Sequence, residues 1–284
     1  MNKDTILKQL LTSGETLIIP DAFDPISAKI IEYAGFDAIQ CSGYSYSISK
    51  GYKSEKDVDL ETNLNITKEI VDAVNIPVMA DGEDGYGHGC NFKKTIEDFI
   101  KIGVSGINIE DQDHSIVNND LKIIDESSML EKIKAAINVK NDLGRKDFII
   151  NARTDALLSL ENRKEAQKLA IERANKYLEA GADICFVTYA KTLEEVKLFS
   201  KEIHGPISIA AGLPYNINEF TINDCIQLGI ARVSLPTVMI LNSVGYMFKN
   251  LKLIKDNGTF NKIIQDNILL SNRDLLKNIL NYSK

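Results

Sequence analysis

The sequence YAGFDAI at residues 33–39 is the first of four closely related phrases that recur along the chain. The others are KIGVSGI at 101–107, EAGADIC at 179–185 and QLGIARV at 227–233. Each phrase combines the end of a helical segment, a glycine suited to a left-handed helix C-terminus, and the start of a short buried run. The phrase therefore marks the passage from a helix into a strand, and its recurrence indicates a repeated strand–helix unit.

Short apolar runs rich in β-branched residues alternate along the chain with segments whose apolar residues recur every three or four positions. Eight runs are predicted to be strands: Leu17–Pro20, Ala38–Gly43, Pro77–Asp81, Gly106–Asp111, Phe148–Thr154, Ile184–Tyr189, Pro206–Ala211 and Ala231–Pro236. Seven segments between them are predicted to be helices: Pro25–Ala34, Glu61–Val74, Asn91–Ile102, Glu126–Asp142, Arg163–Ala180, Leu193–Lys201 and Ile217–Leu228. This alternation is typical of an α/β protein.

Eight such units close most economically into a (β/α)8 TIM barrel, because each strand is apolar enough to be buried on both faces. An open dinucleotide-binding sheet would usually carry a GxGxxG turn after its first strand, and this sequence has none there. We predict one barrel domain at residues 1–255 and a helical appendage at residues 256–284. The segments Thr237–Lys255 and Phe260–Tyr282 would form the eighth helix and an extra amphipathic helix, whose apolar positions must cover either the barrel or a partner subunit.

The composition excludes several classes of protein. The chain has 284 residues, of which 44% are hydrophobic and 26% charged, and its formal net charge is −7. This acidic balance argues against a nucleic-acid partner. No apolar run is long enough to span a membrane, and the N-terminus lacks the apolar length of a secretory signal, so we expect a cytoplasmic protein. The four widely spaced cysteines are expected to be inert thiols rather than zinc ligands.

Carboxylates stand where neighbouring predicted strands end. The third strand runs into Asp81 and Glu83, and the fourth ends in Glu110 and Asp111. Because the carboxyl ends of barrel strands meet at one face, these side chains should converge there and repel one another unless a cation neutralises them. Oxygen ligands favour Mg²⁺, with Mn²⁺ as an alternative. The competing interpretation is a set of helix-capping and surface acids.

Two further features point to a carboxylate ligand. Arg153 lies in an otherwise apolar strand, so its guanidinium needs an anionic partner, either Glu110 or Asp155 in an ion pair or a substrate carboxylate. We favour the substrate. The turn after the second strand, residues 42–45, offers backbone N–H groups and hydroxyls to a carboxylate, although an ordinary strand–helix turn would look the same.

Five segments together resemble the isocitrate lyase/phosphoenolpyruvate mutase superfamily. They are PDAFDPISAKIIEYAGFDAI at 20–39, CSGYS at 41–45, PVMADGEDGYGHG at 77–89, GINIEDQ at 106–112 and INARTDA at 150–156. The resemblance covers nearly the whole chain. It implies a Mg²⁺-dependent barrel enzyme that acts on a small 2-oxo or 2-hydroxy carboxylate through an enolate, as a C–C lyase or a C–P phosphonomutase.

The resemblance also implies roles for individual residues. By position, Ser42, Gly43, Tyr44 and Arg153 would bind the substrate. Members of this superfamily exchange their last helix between subunits and form dimers of dimers. A homo-oligomer, either a dimer or a tetramer, is therefore expected, with the C-terminal helix swapped.

The implied metal ligands are Asp81, Glu83 and Glu110, and Glu83 stands where an aspartate is usual. After the second strand the family places another aspartate. Ser54 aligns with it without gaps, and Glu55 or Asp57 could substitute.

The loop after the fourth strand departs from the family pattern. Lyases carry a Lys-Cys-Gly-His motif there, whose cysteine is the catalytic acid, whereas residues 113–120 read DHSIVNND. The mutase branch carries a lysine and an Asn-Ser pair, to which only Asn118 or Asn119 could correspond, and Asn118 is our candidate substrate ligand. The lyase glutamate after the sixth strand aligns with Thr188, and Ala210–Pro214 replaces an asparagine-bearing stretch after the seventh.

These departures leave the proton donor open. The candidates are His114, Tyr44, His88 and Cys90. We count Arg153, Glu110, His114 and Tyr44 as the candidate catalytic residues. The alternative function is a non-catalytic homologue that kept the metal and carboxylate site.

Overall fold

A computed structural model describes residues 1–113, 122–261, 263 and 273–282. It confirms the predicted barrel: eight parallel strands form one closed sheet in chain order, and the last pairs with the first. The strands are β1 Leu17–Ala22, β2 Ile39–Cys41, β3 Val78–Asp81, β4 Gly106–Glu110, β5 Ile149–Thr154, β6 Ile184–Val187, β7 Ile207–Ala210 and β8 Arg232–Leu235. Each lies within its predicted run or extends it by two residues.

The helices surround this barrel. They are α1 Lys3–Thr12, α2 Pro25–Tyr33, α3 Gly43–Lys50, α4 Leu60–Ala73, α5 Cys90–Lys101, α6 Glu126–Asp142, α7 Ala156–Ser159, α8 Arg163–Glu179, α9 Leu193–Glu202, α10 Ile222–Gln227, α11 Val238–Asn257 and α12 Arg273–Asn281. No helix in the described ranges is long and apolar enough to cross a bilayer.

Two predicted helices differ from the structure. The helix expected over Ile217–Leu228 begins only at Ile222, because Thr221 caps it: the Thr221 side chain accepts from Asp224 N while Asp224 accepts from Thr221 N. Of the helix expected over Phe260–Tyr282, α12 is present, and residues 264–272 lie outside the described part of the chain.

Helix α1, which the periodicity did not predict, closes the bottom of the barrel. Its residues Leu7 and Leu11 pack in one cluster with Leu17, Ile149 and Ile184, the first residues of three strands. This apolar plug seals the amino ends of the strands. Access to the barrel interior is therefore from the opposite end, where the strands finish.

A buried carboxylate fixes the upper ends of β4 and β5. Asp111 Oδ2 accepts hydrogen bonds from Thr154 Oγ1 at 2.8 Å, from Arg173 Nη1 at 2.9 Å and from Tyr177 OH at 2.8 Å. Its Oδ1 accepts from Asp155 N at 2.9 Å. Asp111 therefore joins the ends of β4 and β5 to α8. These hydrogen bonds also fix the backbone position of the preceding residue, Glu110.

Replacing Asp111 by alanine should destabilise the protein by about 3–5 kcal/mol, because the buried Arg173 guanidinium would lose its carboxylate partner. Urea unfolding followed by circular dichroism measures this change. Asp142→Ala, at the exposed end of α6, is the matched control and should cost no more than about 0.5 kcal/mol. An equal cost for the two variants would contradict the anchoring role of Asp111.

Candidate active site

A cavity of about 330 Å³ opens at the carboxyl ends of the strands. It brings together four of the residues singled out in the sequence: Ser42, Tyr44, Asp81 and Arg153 all line it. Its volume is at the small end of the range for small-molecule sites, about 300–1,000 Å³. The cavity therefore suits a compact substrate.

The loop after β3 is attached to β4 and so places Glu83 beside Glu110. Gly82 N donates to Asn108 O at 2.9 Å, and Glu110 N donates to Glu83 O at 2.9 Å. Glu83 is buried and has a positive φ of 49°. Such a backbone conformation is rare for a residue with a side chain and is found where the surroundings enforce it. The strand pairing thus holds a buried carboxylate in a strained position.

Two buried carboxylate oxygens have neither a hydrogen-bond partner nor an ion-pair partner among the described residues. These are Asp81 Oδ1 and Glu83 Oε1. Burial, followed by the charges of Asp81, Glu55 and Glu110, raises the pKa of Glu83 well above its ordinary value. Buried anions without donors are costly, so this arrangement calls for a cation.

The donor set fits a hard divalent cation. Within the described ranges no three histidine, cysteine, aspartate or glutamate side chains form a ready-made ligand cage. Mg²⁺ seldom requires one, since it commonly binds through one or two carboxylates and completes its shell with water and substrate oxygens. Asp81 and Glu83 supply two such carboxylates, and both oxygens are anionic ligands of the kind that Mg²⁺ and Mn²⁺ prefer.

Arg153 forms ion pairs with both Glu110 and Asp155, the two residues that the sequence analysis offered as alternatives to a substrate carboxylate. Its Nη1 lies 2.6 Å from Glu110 Oε2, and its Nε lies 2.9 Å from Asp155 Oδ2. Burial lowers the pKa of Arg153, but the carboxylates of Asp155, Glu110 and Asp81 outweigh it and raise the pKa well above the ordinary value. The guanidinium is therefore permanently charged, held by two neighbours, and still faces the cavity.

The stretch expected to be a turn after β2 is instead the start of α3. Ser42 caps this helix by accepting from Ser45 N at 3.3 Å, and Gly43 N donates to Asp81 Oδ2 at 3.1 Å. A Cβ on Gly43 would lie 2.1 Å from Glu83 Oε1. Glycine is needed here because the helix start packs directly against the two carboxylates.

The floor of the cavity contains residues that the sequence analysis missed. Arg232, fully buried, donates to Ser208 Oγ at 2.6 Å and to Gln40 Oε1 at 2.7 Å. Burial lowers the pKa of Arg232 to about 10 and raises the pKa of Asp21, which lines the cavity, to about 7. Arg232 and Asp21 are ionisable residues within otherwise apolar strands. The same sequence feature identified Arg153 and could have identified these two residues as well.

The remaining candidates divide into two groups. His114 and Asn118 lie outside the described residues. His88 and Cys90 are exposed and do not line the cavity. Of the three residues considered for the missing aspartate, Glu55 lines the cavity, whereas Ser54 caps a 3-10 turn over Glu55–Asp57.

Comparisons with known proteins found relatives that match most of the chain. A family model described as phosphoenolpyruvate phosphomutase matches residues 7–255. The 2,3-dimethylmalate lyase of Eubacterium barkeri is 34% identical over 72% of this chain and 70% of its own length. The 2-methylisocitrate lyase of Halalkalibacterium halodurans is 30% identical over 91% of this chain and 84% of its own length.

Among solved structures, the phosphoenolpyruvate phosphomutase from Streptomyces platensis subsp. rosaceus superposes with a TM-score of 0.82 at 24% identity. The match covers 95% of this chain and 93% of that one. At this level of identity the likeness shows the fold.

We predict that Glu83→Gln weakens Mg²⁺ binding by about 10–100-fold, measured by calorimetry. At pH 8 without divalent cation, the same variant should melt about 2–4 °C higher, equivalent to about 1 kcal/mol. Folding raises the pKa of Glu83, so its ionised form costs stability above the unfolded pKa, and glutamine removes that cost. The exposed Glu179→Gln is the control and should change neither quantity. Unaltered Mg²⁺ affinity in Glu83→Gln would count against the cation site.

Proposed function

The chain belongs to the phosphoenolpyruvate phosphomutase family, whose members include lyases and phosphonomutases, and from this membership we propose that it is a carbon–carbon lyase. Its substrate would be a small 2-oxo or 2-hydroxy carboxylate, and it would require Mg²⁺ or Mn²⁺. The observation that carries the proposal is the pair of buried, partnerless oxygens on Asp81 and Glu83, of which Asp81 lines the cavity that also presents Arg153. A lyase is preferred to a phosphonomutase because both curated relatives described above are lyases.

In this proposal Asp81 and Glu83 hold the cation and Arg153 binds the substrate carboxylate. When bound, the cation would hold the 2-oxygen of the substrate and stabilise negative charge on it. In a 2-hydroxy substrate, the hydroxyl proton would pass to a base, the 2-oxygen would become the oxo group of one product, and the other fragment would leave as an enolate that the proton donor protonates. In a 2-oxo substrate, water would add to the 2-oxo group before the C–C bond breaks. Glu110 fixes the guanidinium of Arg153 from the side opposite the substrate and adds a third negative charge near the cation. Because the backbone and ion-pair contacts around these groups already exist, little reorganisation is needed when substrate enters.

The start of α3 contributes the other substrate contacts. Ser42 and Tyr44 line the cavity, and Gly43 allows the helix to approach the two carboxylates closely. We place the Tyr44 hydroxyl at the enolate as the proton donor. Of the four donor candidates taken from the sequence, Tyr44 is the one that lines the cavity among the described residues. His114, in the sequence after β4, is the alternative proton donor, and Asn118 keeps its proposed role as a substrate ligand.

One observation favours a second candidate function. The loop after β4 lacks the lyase cysteine, and the hydroxyl of Thr188, which stands at the lyase glutamate position, lies 2.9 Å from Asp155 Oδ1. A homologue that binds a metal and a carboxylate without turnover would show both features. The assay below separates it from a lyase.

Wild-type protein with Mg²⁺ should release pyruvate or oxalate from at least one of oxaloacetate, 2,3-dimethylmalate and 2-methylisocitrate. Chromatography measures the released product. Arg153→Lys should lower kcat/KM by about 10²-fold or more, because lysine keeps the charge but loses the bidentate fork. Arg145→Lys is the matched control, since Arg145 forms a comparable bidentate ion pair with Asp4 of α1 at the opposite end of the barrel, and its kcat/KM should stay near that of wild type.

The outcomes of this assay are distinct. Turnover of phosphonopyruvate alone would assign the chain to C–P chemistry. Binding of Mg²⁺ and oxalate without turnover of any compound would support the non-catalytic homologue. Failure to bind either would contradict the proposed function.

We also propose that the protein is a homo-oligomer, a dimer or a tetramer, assembled through the outer face of α11. Met247, Phe248 and Leu251 on this helix are 59%, 71% and 66% exposed, which is unusual for neighbouring large apolar side chains. We place the domain boundary near residue 255, with residues 256–284 as an oligomerisation appendage whose helix is exchanged between subunits. In the single chain, α12 lies against α2, with the Tyr282 and Tyr33 rings 5.3 Å apart.

The cysteines bear on the compartment. All four are free thiols, and three of them are buried. Free cysteines without disulfides are typical of a reducing environment. We therefore propose a cytoplasmic location.

Light scattering after size exclusion should give the mass of a dimer or tetramer for the wild type. Phe248→Asp combined with Leu251→Asp should shift it to the monomer, because a buried apolar contact would then carry two unpaired charges. Leu160→Asp, at an exposed apolar residue of a loop, is the control and should leave the mass unchanged. A monomeric wild type would contradict the proposed assembly.

A further inference from the structure

The cavity has two chemically different halves. The strands β1 to β5 contribute its polar side, which includes Asp21, Asp81, Asn108 and Arg153. The strands β6 to β8 and the segments that follow them contribute the opposite side. That side is mainly apolar or aromatic: Phe186, Ala210, Leu213, Tyr215, Pro236 and Leu241.

The aromatic part of the second half is rigid. The rings of Tyr189 and Tyr215 stack with centroids 5.4 Å apart at an interplanar angle of 20°. Tyr189 has a positive φ of 60°, a conformation that a residue with a side chain keeps only when its surroundings enforce it. The buried Asn216 donates to Ala210 O at 2.9 Å and accepts from Leu213 N at 3.0 Å. This bonding fixes the loop that carries Leu213 and Tyr215.

Two polar side chains of this half, Thr188 and Asn216, are already engaged in hydrogen bonds with the protein. Thr188 Oγ1 lies 2.9 Å from Asp155 Oδ1 and 3.1 Å from Thr154 O, so its single proton is directed to the protein. The Asn216 amide is used as described above. A substrate group entering this half therefore meets mainly carbon atoms and aromatic rings. Among the described lining residues, the buried Thr237 hydroxyl has no hydrogen-bond partner and can bind an uncharged oxygen of a tail, but it carries no charge to pair with a carboxylate.

The charges lining the cavity have the same asymmetry. Among the described residues that line it, Arg153 is the only positively charged one, and its guanidinium is shared with Glu110 and Asp155. Residues 114–121, which follow β4 in the sequence, contain no lysine or arginine. The Arg232 guanidinium lies 5.7 Å from the Phe186 ring centroid, but Arg232 is fully buried, is bound to Ser208 and Gln40, and does not line the cavity. A second carboxylate placed against β6 to β8 would therefore lose its hydration without direct contact with a cation, which is costly.

We infer that the substrate has one charged 2-oxo or 2-hydroxy carboxylate head and an uncharged acyl or alkyl tail. The head lies on the β1 to β5 side, beside Asp81 and Arg153. The tail lies against Phe186, Leu213 and Tyr215, which act as specificity-determining residues. This inference rests on the proposed function, because it assumes that the head is held by the cation and Arg153.

Three compounds of equal non-hydrogen atom count test the inference. Oxaloacetate, 2,4-dioxopentanoate and 4-methyl-2-oxopentanoate share the same head and end in a carboxylate, an acetyl and an isopropyl group, respectively. Each is measured by competition against oxalate, which has the head alone, with the full-length protein in saturating Mg²⁺. The two compounds with uncharged tails should bind about tenfold or more tightly than oxaloacetate.

A cation added to the apolar half should reverse this preference. Leu213→Arg should bind oxaloacetate more tightly than the two compounds with uncharged tails, whereas the control Leu213→Met should keep the wild-type order. Thermal melting checks that each variant folds. If Leu213→Arg does not fold, Leu241→Arg places the charge from α11 at the same half of the cavity.

Different results would overturn the inference about the substrate tail and the proposed function. Oxaloacetate binding as tightly as the compounds with uncharged tails in the wild type, with oxalate bound, would overturn the inference and leave the proposed function intact. Absence of Mg²⁺-dependent oxalate binding would overturn the proposed function and this inference together.

Discussion

The repulsion between the buried carboxylates of Asp81 and Glu83 is the constraint around which the upper end of this barrel is organised. Their oxygens lie in a low-dielectric setting without enough donors, so burying both groups as anions is costly unless positive charge lies nearby. Arg153 supplies part of it, but Glu110 and Asp155 already share that charge. A divalent cation would neutralise the remaining negative charge. Binding of the cation to the folded chain would therefore also stabilise the fold.

The fold was predictable because it depends on local signals that repeat. Gly35, Gly103, Gly181 and Gly229 end helices and are each followed within a few residues by a buried strand. The alternation of apolar runs with helical periodicity along the rest of the chain allowed all eight units to be counted. Helix α1 was missed because its role is tertiary: Leu7 and Leu11 matter only once the strand ends they cover exist. Helix α3 was missed because Ser42, a good cap, follows an apolar run that looks continuous with its strand.

The candidate site was predictable where a charge interrupts an apolar strand, as at Arg153. The sequence could not distinguish Glu110 from Asp111, since adjacent residues differ only in the side of the strand they occupy. The structure separates them: Glu110 meets Arg153 beside the cavity, whereas Asp111 is bound by Arg173 and Tyr177. To make this distinction, one needs the register of β4 against β5, in which Glu110 pairs with Arg153. The sequence alone does not give that register.

Anomalous diffraction from crystals grown with Mn²⁺ and oxalate tests the central claim most directly. The account predicts one strong manganese peak in the cavity, within bonding distance of carboxylate oxygens of Asp81 or Glu83, with oxalate between that peak and Arg153. A cavity without manganese at saturating concentration, or manganese bound away from both carboxylates, would contradict it.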